Sequence, residues 1–221
     1  MQITSAMKMV SAAKLKKAQD AITAMRPYSS KLTELLQNLS ATLDGDAGGA
    51  YSTQREVKKV LFVVITSNRG LCGGFNSSIT KEVTKTVAEK YANVSVDLLT
   101  IGKKGNDTLS KEFNVIDSRN DIYDDLTFDN VAVIAEQLMS LYVDGSYDKI
   151  EVVYNQFKNA ATQIPQVEQF LPIKPIEGGE AITNSDYIFE PSKEEIVLAL
   201  IPKSLKTQLY KSIRDSFASE H

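Results

Sequence analysis

The sequence predicts a three-layer α/β domain bracketed by two amphipathic helices. Between residues 58 and 173, short apolar runs of strand length alternate with stretches of helical periodicity. Strands that are apolar on both faces and alternate with helices are typical of a parallel sheet covered by helices on either side. At both ends of the chain the spacing of apolar residues is helical instead. A chain of 221 residues has room for one such domain and its flanking helices.

The N-terminal segment is predicted to form a helix that packs against another helix. From Ile3 to Arg26 the chain has neither Gly nor Pro, and Ala, Met, Leu, Lys and Gln dominate. Its apolar stripe is narrow and rich in small residues, which suits close packing against a single helix. The members of the stripe are Ile3, Met7, Val10 and Ala13, flanked by Ala6 and Met9. Pro27 is expected to kink or interrupt the helix, after which a leucine pattern resumes up to Gly45.

The middle of the chain is predicted to hold five strands and the helices between them. A Gly-rich linker from Gly45 to Ser52 separates this part from the first helix. The strands are expected at about 58–66, 94–101, 112–117, 149–157 and 166–173. The helices carry apolar residues on one face, namely Ile79, Val83, Val87 and Tyr91 in the first and Val131, Ile134, Leu138 and Leu141 in the second.

A further amphipathic helix is predicted at the C-terminal end. It opens with a capping-box pattern at 192–195, and Pro202 is expected to bend or restart it. Its apolar side holds Ile196, Leu200, Leu205, Leu209, Ile213 and Phe217. No stop signal precedes His221 and no cap opens the first helix, so both outer helices are expected to be truncated. The predicted division is 1–44 for the N-terminal helices, 45–56 for a linker, 57–190 for the α/β domain and 191–221 for the C-terminal helix.

Composition argues against several functions. The net charge of −3 gives no general attraction to nucleic acid, and the single cysteine, Cys72, excludes a disulfide framework. The only histidine, His221, is terminal, so histidine-based catalysis is not expected. No apolar run approaches the length that spans a bilayer, so no direct membrane span is expected. No cofactor or metal site is predicted, since the acidic segment 117–129 lacks the Gly and closing Glu of a calcium loop.

Charge is distributed unevenly along the chain. Residues 1–26 have a net charge of +4, whereas residues 117–129 have a net charge of −4. This distribution predicts two faces with different neighbours, although solvated surfaces would look the same. The first helix has no aromatic residue before Tyr28 to anchor it in lipid or to stack on bases. A partner helix is therefore favoured over a lipid or nucleic-acid surface.

A glycine-rich loop, S-N-R-G-L-C-G-G, occupies Ser67–Gly74. It follows the buried strand at 60–65 and precedes a helix that could begin with Ser77 or Ser78 as N-cap. The loop does not match G-x-G-x-x-G, and no Gly-Lys-Ser/Thr follows it. Asp97 on the next strand nevertheless lies at the spacing of a ribose-binding acid. A nucleotide-binding α/β enzyme therefore stays open as an alternative. A helical adaptor, for which the two outer helices would bind partners, is a second alternative.

Three segments together closely resemble signatures of the gamma subunit of F-type ATP synthases. They are the loop S-N-R-G-L-C-G-G, the upstream I-T-S-A-M-K-M-V-S-A-A-K-L at 3–15 and the terminal S-F-A-S-E-H at 216–221. The resemblance is collinear over the whole chain, although the family commonly has Asp where Asn68 stands. It implies a Rossmann-like domain at the foot of an antiparallel coiled coil, of which both helices are truncated here.

The resemblance also implies a rotor that has no catalytic groups of its own. Its partners would be the alpha and beta subunits of the catalytic hexamer, the epsilon subunit and the membrane c-ring. Ion flow would turn the shaft, which would force each beta subunit in turn through states of different nucleotide affinity. The location would be the cytoplasmic face of a bacterial plasma membrane.

Site residues carry over by position within the resemblance. Those expected at partner interfaces are Met7, Lys8, Val10, Lys14, Arg69 and Cys72, where Arg69 and Cys72 would face an acidic loop of beta. Those expected in the packing of the helix pair are Ile3, Ala13, Leu205, Leu209, Ile213 and Phe217, with Met9 and Val10 also turned toward the returning helix. From the residues alone, Cys72 is more simply a small residue packed in a turn than a nucleophile.

Overall fold

A computed structural model describes the backbone at 2–41, 49–159, 162–174 and 192–220, and side chains at 9–35, 49–159, 162–174, 192 and 195–220. The helices are α1 Gln2–Ala41, α2 Phe75–Lys90, α3 Lys103–Leu109, α4 Phe128–Val143 and α5 Lys193–Glu220. The strands are β1 Lys59–Ile65, β2 Ser95–Ile101, β3 Asn114–Arg119, β4 Lys149–Asn159 and β5 Thr162–Leu171. Single 3-10 turns lie at Gly49–Tyr51 and Asp121–Tyr123.

The five strands form one sheet in the order β3-β2-β1-β4-β5. Pairings among β3, β2, β1 and β4 are parallel, and β5 pairs antiparallel with β4. Chain order reverses direction across the sheet between β1 and β4, as in doubly wound nucleotide-binding folds. The five predicted strands and their α/β arrangement are confirmed.

The strands are buried on both faces because helices cover the sheet on each side. On one face, β1 contributes Leu61, Val63 and Ile65 to a core cluster with α4 and α5. On the other face, Val60, Phe62 and Val64 pack with α2 and α3. This period-two division explains why the sequence of β1 is an unbroken apolar run. The three-layer prediction is confirmed.

Both long helices pass through a proline without ending. α1 is continuous at Pro27 and α5 is continuous at Pro202, which excludes the predicted interruption or restart. Proline removes one helical hydrogen bond. Packing nevertheless holds α1 on both sides of Pro27, through the buried side chains of Ile22 and Leu32. The predicted continuation of the leucine pattern to Gly45 lies partly outside the described residues, since α1 is described as far as Ala41.

Two helix starts can be compared with their predictions. The predicted N-cap at Ser77 or Ser78 is wrong, because α2 already begins at Phe75 with Gly74 before it. Ser192 does cap α5, since its hydroxyl oxygen accepts the backbone N–H of Glu195 at 3.2 Å. None of the helices in the described ranges combines the length and the apolar character that crossing a membrane requires.

Candidate functional site

The glycine-rich loop is folded around the side chains of Ser67 and Asn76. The Ser67 backbone N–H donates to Asn76 Oδ1 at 3.0 Å, and the Ser67 hydroxyl donates to the carbonyl of Arg69 at 2.6 Å. Asn76 Nδ2 donates to the same carbonyl at 3.0 Å and to Cys72 Sγ at 3.1 Å. Cys72 is therefore part of the internal hydrogen bonding of the loop, and its contact with a partner stays a prediction.

A second set of contacts ties the loop to the neighbouring strand ends. Asn68 accepts the Lys103 backbone N–H at 2.9 Å through Oδ1 and donates from Nδ2 to the Asn120 carbonyl at 2.7 Å. Just before the loop, the Thr66 hydroxyl oxygen accepts the Gly105 N–H at 2.8 Å. These hydrogen bonds join the carboxyl ends of β1, β2 and β3 into one rim of the sheet.

The outer part of the loop projects into solvent. Leu71 is fully exposed and has a positive φ of 61°, a conformation that few non-glycine residues adopt. The Arg69 side chain is 70% exposed, and its Nε lies 3.9 Å from the Glu220 carboxylate at the end of α5. At this exposure the pair contributes little to stability. Arg69 is therefore available to an acidic partner while it stays beside the C-terminal helix.

The crevice between the carboxyl ends of β1 and β4, where doubly wound folds bind nucleotides, is filled by the chain itself. Asn155 on β4 is fully buried there. Its Nδ2 donates to the Phe75 carbonyl at 3.0 Å, and its own carbonyl accepts the Ser219 hydroxyl at 3.3 Å. The last turns of α5 thus occupy the position that a nucleotide would need, which argues against the nucleotide-binding alternative. Among the described residues, no cluster of acidic, Cys or His side chains could hold a metal ion.

Beside this crevice, an ion pair joins α1, α5 and β4. Arg26 Nη2 lies 2.7 Å from Asp215 Oδ1 and donates to the Phe157 carbonyl at 2.5 Å. The Phe157 backbone N–H donates to the same Asp215 oxygen at 3.3 Å. Asp215 has no solvent-exposed surface. Burial raises the pKa of its carboxyl above the usual range, and the hydrogen bond and positive charge of Arg26 oppose that rise.

The end of α5 also packs against the segment between β3 and α4. The Tyr123 ring stacks on Phe217, and its hydroxyl donates to the Thr66 carbonyl at 2.7 Å. Burial, together with the Glu220 carboxylate, raises the pKa of Tyr123 far above its usual range, so the phenol stays a hydrogen-bond donor. This contact links the rim of the sheet to α5.

The predicted site residues are only partly brought together. The side chains of Ile3, Met7 and Lys8 lie outside the described residues. Four predicted interface or packing residues are exposed on α1: Met9, Val10, Ala13 and Lys14. The described part of α5 ends at Glu220, two residues after Ala218, which shares an apolar cluster with Ala18 and Ile22. None of these four residues belongs to the three apolar clusters of the described residues. Their contacts with partners or with a returning helix stay predictions.

The prediction for three α5 residues needs correction. Leu205, Leu209 and Ile213 were expected to face α1, but they lie in the core cluster with α4 and the sheet, which contains no described residue of α1. The physical reason is that one face of the sheet needs an apolar cover, and α5 supplies it. α1 meets α5 on another side, through Asp215, Ala218 and the partly buried Phe217.

Sequence reasoning did not find the residues that make this junction. The sequence marks Arg26 only as part of a basic helix end, and no motif includes Asp215 or Asn155. A charged residue close to the apolar stripe of α5 is a weak signal for Asp215. Nothing in the sequence pairs Arg26 with Asp215, because 189 residues separate them.

These features define a class of protein, an α/β domain that is fixed to two long helices and whose crevice is covered by the end of one of them, α5. A family model described as ATP synthase matches residues 1–221. ATP synthase gamma chains from Flavobacterium psychrophilum, Flavobacterium johnsoniae and Christiangramia forsetii are 72%, 71% and 62% identical to the chain. Each alignment covers the whole chain and 77% of the relative. The chain belongs to the gamma subunit family of F-type ATP synthases.

Solved structures agree with this assignment. The central stalk and c-ring of Tetrahymena thermophila mitochondrial ATP synthase includes a chain with a TM-score of 0.68 and 26% identity, over 99% of this chain and 94% of that one. The rotor of Euglena gracilis mitochondrial ATP synthase has the same fold, with a TM-score of 0.55 and 17% identity over 95% of this chain and 84% of that one. The chain is thus a central stalk subunit, as its sequence predicted.

Proposed function

We propose that this chain is a non-catalytic rotor that transmits torque between a membrane c-ring and a hexamer of alpha and beta subunits. The observation that carries the proposal is the closed crevice: Ser219 of α5 occupies the nucleotide position beside Asn155. The domain therefore serves as a support for the two helices, and nucleotides would bind the neighbouring subunits. The similar Tetrahymena chain belongs to a central stalk that was solved together with a c-ring, which supports the same partner here.

The surfaces suggest how the partners are divided. Arg69 and Leu71 project from the rim of the sheet beside α5, which suits contact with an acidic loop of beta. The exposed residues of α1 that precede Leu15, with Lys14 among them, would lie inside the hexamer. We assign contact with the epsilon subunit and the c-ring to the part of the α/β domain that lies farthest from the hexamer. The complex would lie at the cytoplasmic face of a bacterial plasma membrane.

The test is assembly and rotation with alpha and beta. We expect the complex containing this subunit to hydrolyse ATP and to turn a probe attached to the α/β domain. Subunit alone should show no ATP turnover and no saturable nucleotide binding at micromolar concentration. Turnover by the purified chain, or failure to associate with alpha and beta, would contradict the proposal.

The contact of the loop with beta can be tested by charge reversal. Arg69→Glu should weaken association or slow rotation, because it places a carboxylate opposite an acidic partner. Lys85→Glu is the matched control, since Lys85 is exposed on α2 and carries the same charge. Equal effects of the two substitutions would show that the loop does not contact beta.

A further inference from the structure

The β4–β5 hairpin extends well beyond the rest of the sheet. β1 pairs with β4 only as far as Val153, whereas β4 continues paired with β5 to Asn159. Six more residues of strand correspond to about 20 Å. The extension lies beside α1, since Phe157 shares an apolar cluster with Ala18 and Ile22. The hairpin is thus an arm that reaches from the domain to the paired helices.

Side chains of α1 and α5 take the place of a longer β1 along this arm. The Phe157 N–H and carbonyl bind Asp215 and Arg26, and the Asn155 carbonyl binds Ser219. The backbone groups of the arm on its β1 side are therefore directed to the helices.

The ion pair at this position differs from the surface pairs of the chain. Asp215 is completely buried, and within the described part of the chain no donor reaches its second oxygen, Oδ2. Its charge is therefore compensated mainly by Arg26. The pair Lys31–Glu34 on the same helix α1, in contrast, has side chains that are 63% and 51% exposed and is only weakly stabilising.

We infer that Arg26 and Asp215 are positioning residues of the rotor, which lock α1, α5 and the β4–β5 hairpin in one rotational register. The apolar contacts at this level are made by Ala18 and Ile22 of α1 and by Ala218 and Phe217 of α5, and apolar attraction by itself has no preferred direction. The charged hydrogen bonds are directional, and they hold both helices to the backbone of the same residue, Phe157. This inference rests on the proposed transmission of torque. It identifies Phe157 of the β4–β5 hairpin as the place where the α/β domain is bound to both long helices.

The experiment measures angular fluctuations in the assembled complex. The alpha and beta hexamer is immobilised without ATP, and a probe on the α/β domain reports the variance of its angle. Arg26→Gln should increase that variance by about twofold or more. Arg26→Lys should restore it, because an ammonium group can still donate to both Asp215 and the Phe157 carbonyl. Glu34→Gln, which removes the exposed pair, is the control and should leave the variance unchanged.

Several results would overturn the inference. They are a wild-type variance in Arg26→Gln complexes, an equal increase in Glu34→Gln, and a lack of rescue by Arg26→Lys. If Arg26→Gln does not assemble, Asp215→Asn carries the same test with little change in volume. A merely structural role would lower the melting temperature and leave the variance of intact complexes unchanged. Absence of ATP-driven rotation in the unsubstituted complex would instead overturn the proposed function, while the variance measured without ATP still decides this inference.

Discussion

The ring of Tyr123 stacks on Phe217, with centroids 6.0 Å apart and planes inclined by 19°. Because the Tyr123 hydroxyl also donates to the Thr66 carbonyl, one side chain connects the end of α5 to the end of β1. The stack determines which side of α5 faces the sheet rim. The hydrogen bond determines the position of the Tyr123 ring relative to the end of β1. The rim and the C-terminal helix are therefore expected to unfold together.

Replacing Tyr123 by Phe separates the two contributions of this side chain. The stack is kept, and the hydrogen bond to the buried Thr66 carbonyl is lost, which should lower the free energy of unfolding by about 1 to 2 kcal/mol. Urea denaturation of the full chain measures the change. Tyr28→Phe is the control, because Tyr28 is 50% exposed on α1, and it should have almost no effect. Equal stabilities of the two variants would show that the Thr66 contact contributes nothing.

Exchanging Asn68 for Asp tests the amide that bridges two strand ends. The Asn68 amide accepts a hydrogen bond from the Lys103 N–H and donates one to the Asn120 carbonyl. An ionised Asp can only accept hydrogen bonds. We expect a loss of about 1 kcal/mol at neutral pH, since one carbonyl loses its donor and faces a carboxylate. The loss should be smaller at acidic pH, where the new carboxyl is protonated. Asn93→Asp in an exposed turn should change stability little, and a similar loss there would contradict the explanation.

Much of the fold could be predicted because burial leaves a local signal. The unbroken apolar run of β1 reflects burial on both faces of the sheet. The helical spacing of α4 reflects one face that packs in the core. The start of α2 at Phe75 was missed since the preceding Gly74 makes no side-chain cap, and serine residues nearby were stronger candidates. Continuity of α1 through Pro27 was missed because tertiary packing on both sides of the proline overrides its local preference.

The site was less predictable because its contacts are distant in sequence. The role of the loop at Ser67–Gly74 followed from resemblance, and its internal hydrogen bonds follow from Asn76, which no pattern indicated. The assignment of Leu209 to the helix pair was wrong because an apolar stripe does not specify which apolar surface it covers. Arg26 and Asp215 could be paired only once the path of both helices was known.

The close approach of two strand ends can be tested at Gly102. A Cβ at this position would lie 2.1 Å from the Thr66 carbonyl oxygen, and the backbone has a φ of +100°. Gly102→Ala should therefore cost about 3 kcal/mol or more, because backbone would have to move. Gly73→Ala is the matched control, since its φ is also positive, at +59°, while no atom lies within 4 Å of the added Cβ. It should cost about 1 kcal/mol, and equal losses would show that the contact with Thr66 can relax.

The buried carboxyl of Asp215 predicts how the effect of Arg26→Gln depends on pH. Burial raises the folded-state pKa of Asp215, and Arg26 opposes this rise, so removal of Arg26 should raise the pKa further. A carboxyl whose pKa is higher in the folded than in the unfolded state contributes stability that is fully present below the unfolded pKa and is lost as the pH rises through the folded pKa.

Arg26→Gln should therefore be destabilised most at neutral and alkaline pH, by about 2 to 3 kcal/mol, because an ionised and buried carboxylate then lacks its partner. The difference from the unsubstituted chain should shrink as the pH falls from neutral to acidic values and the carboxyl takes up a proton. Urea denaturation across this range measures it, and adding Asp215→Asn to Arg26→Gln should remove the pH dependence. A loss that is constant with pH, or a dependence that survives the second substitution, would show that another group titrates at the junction.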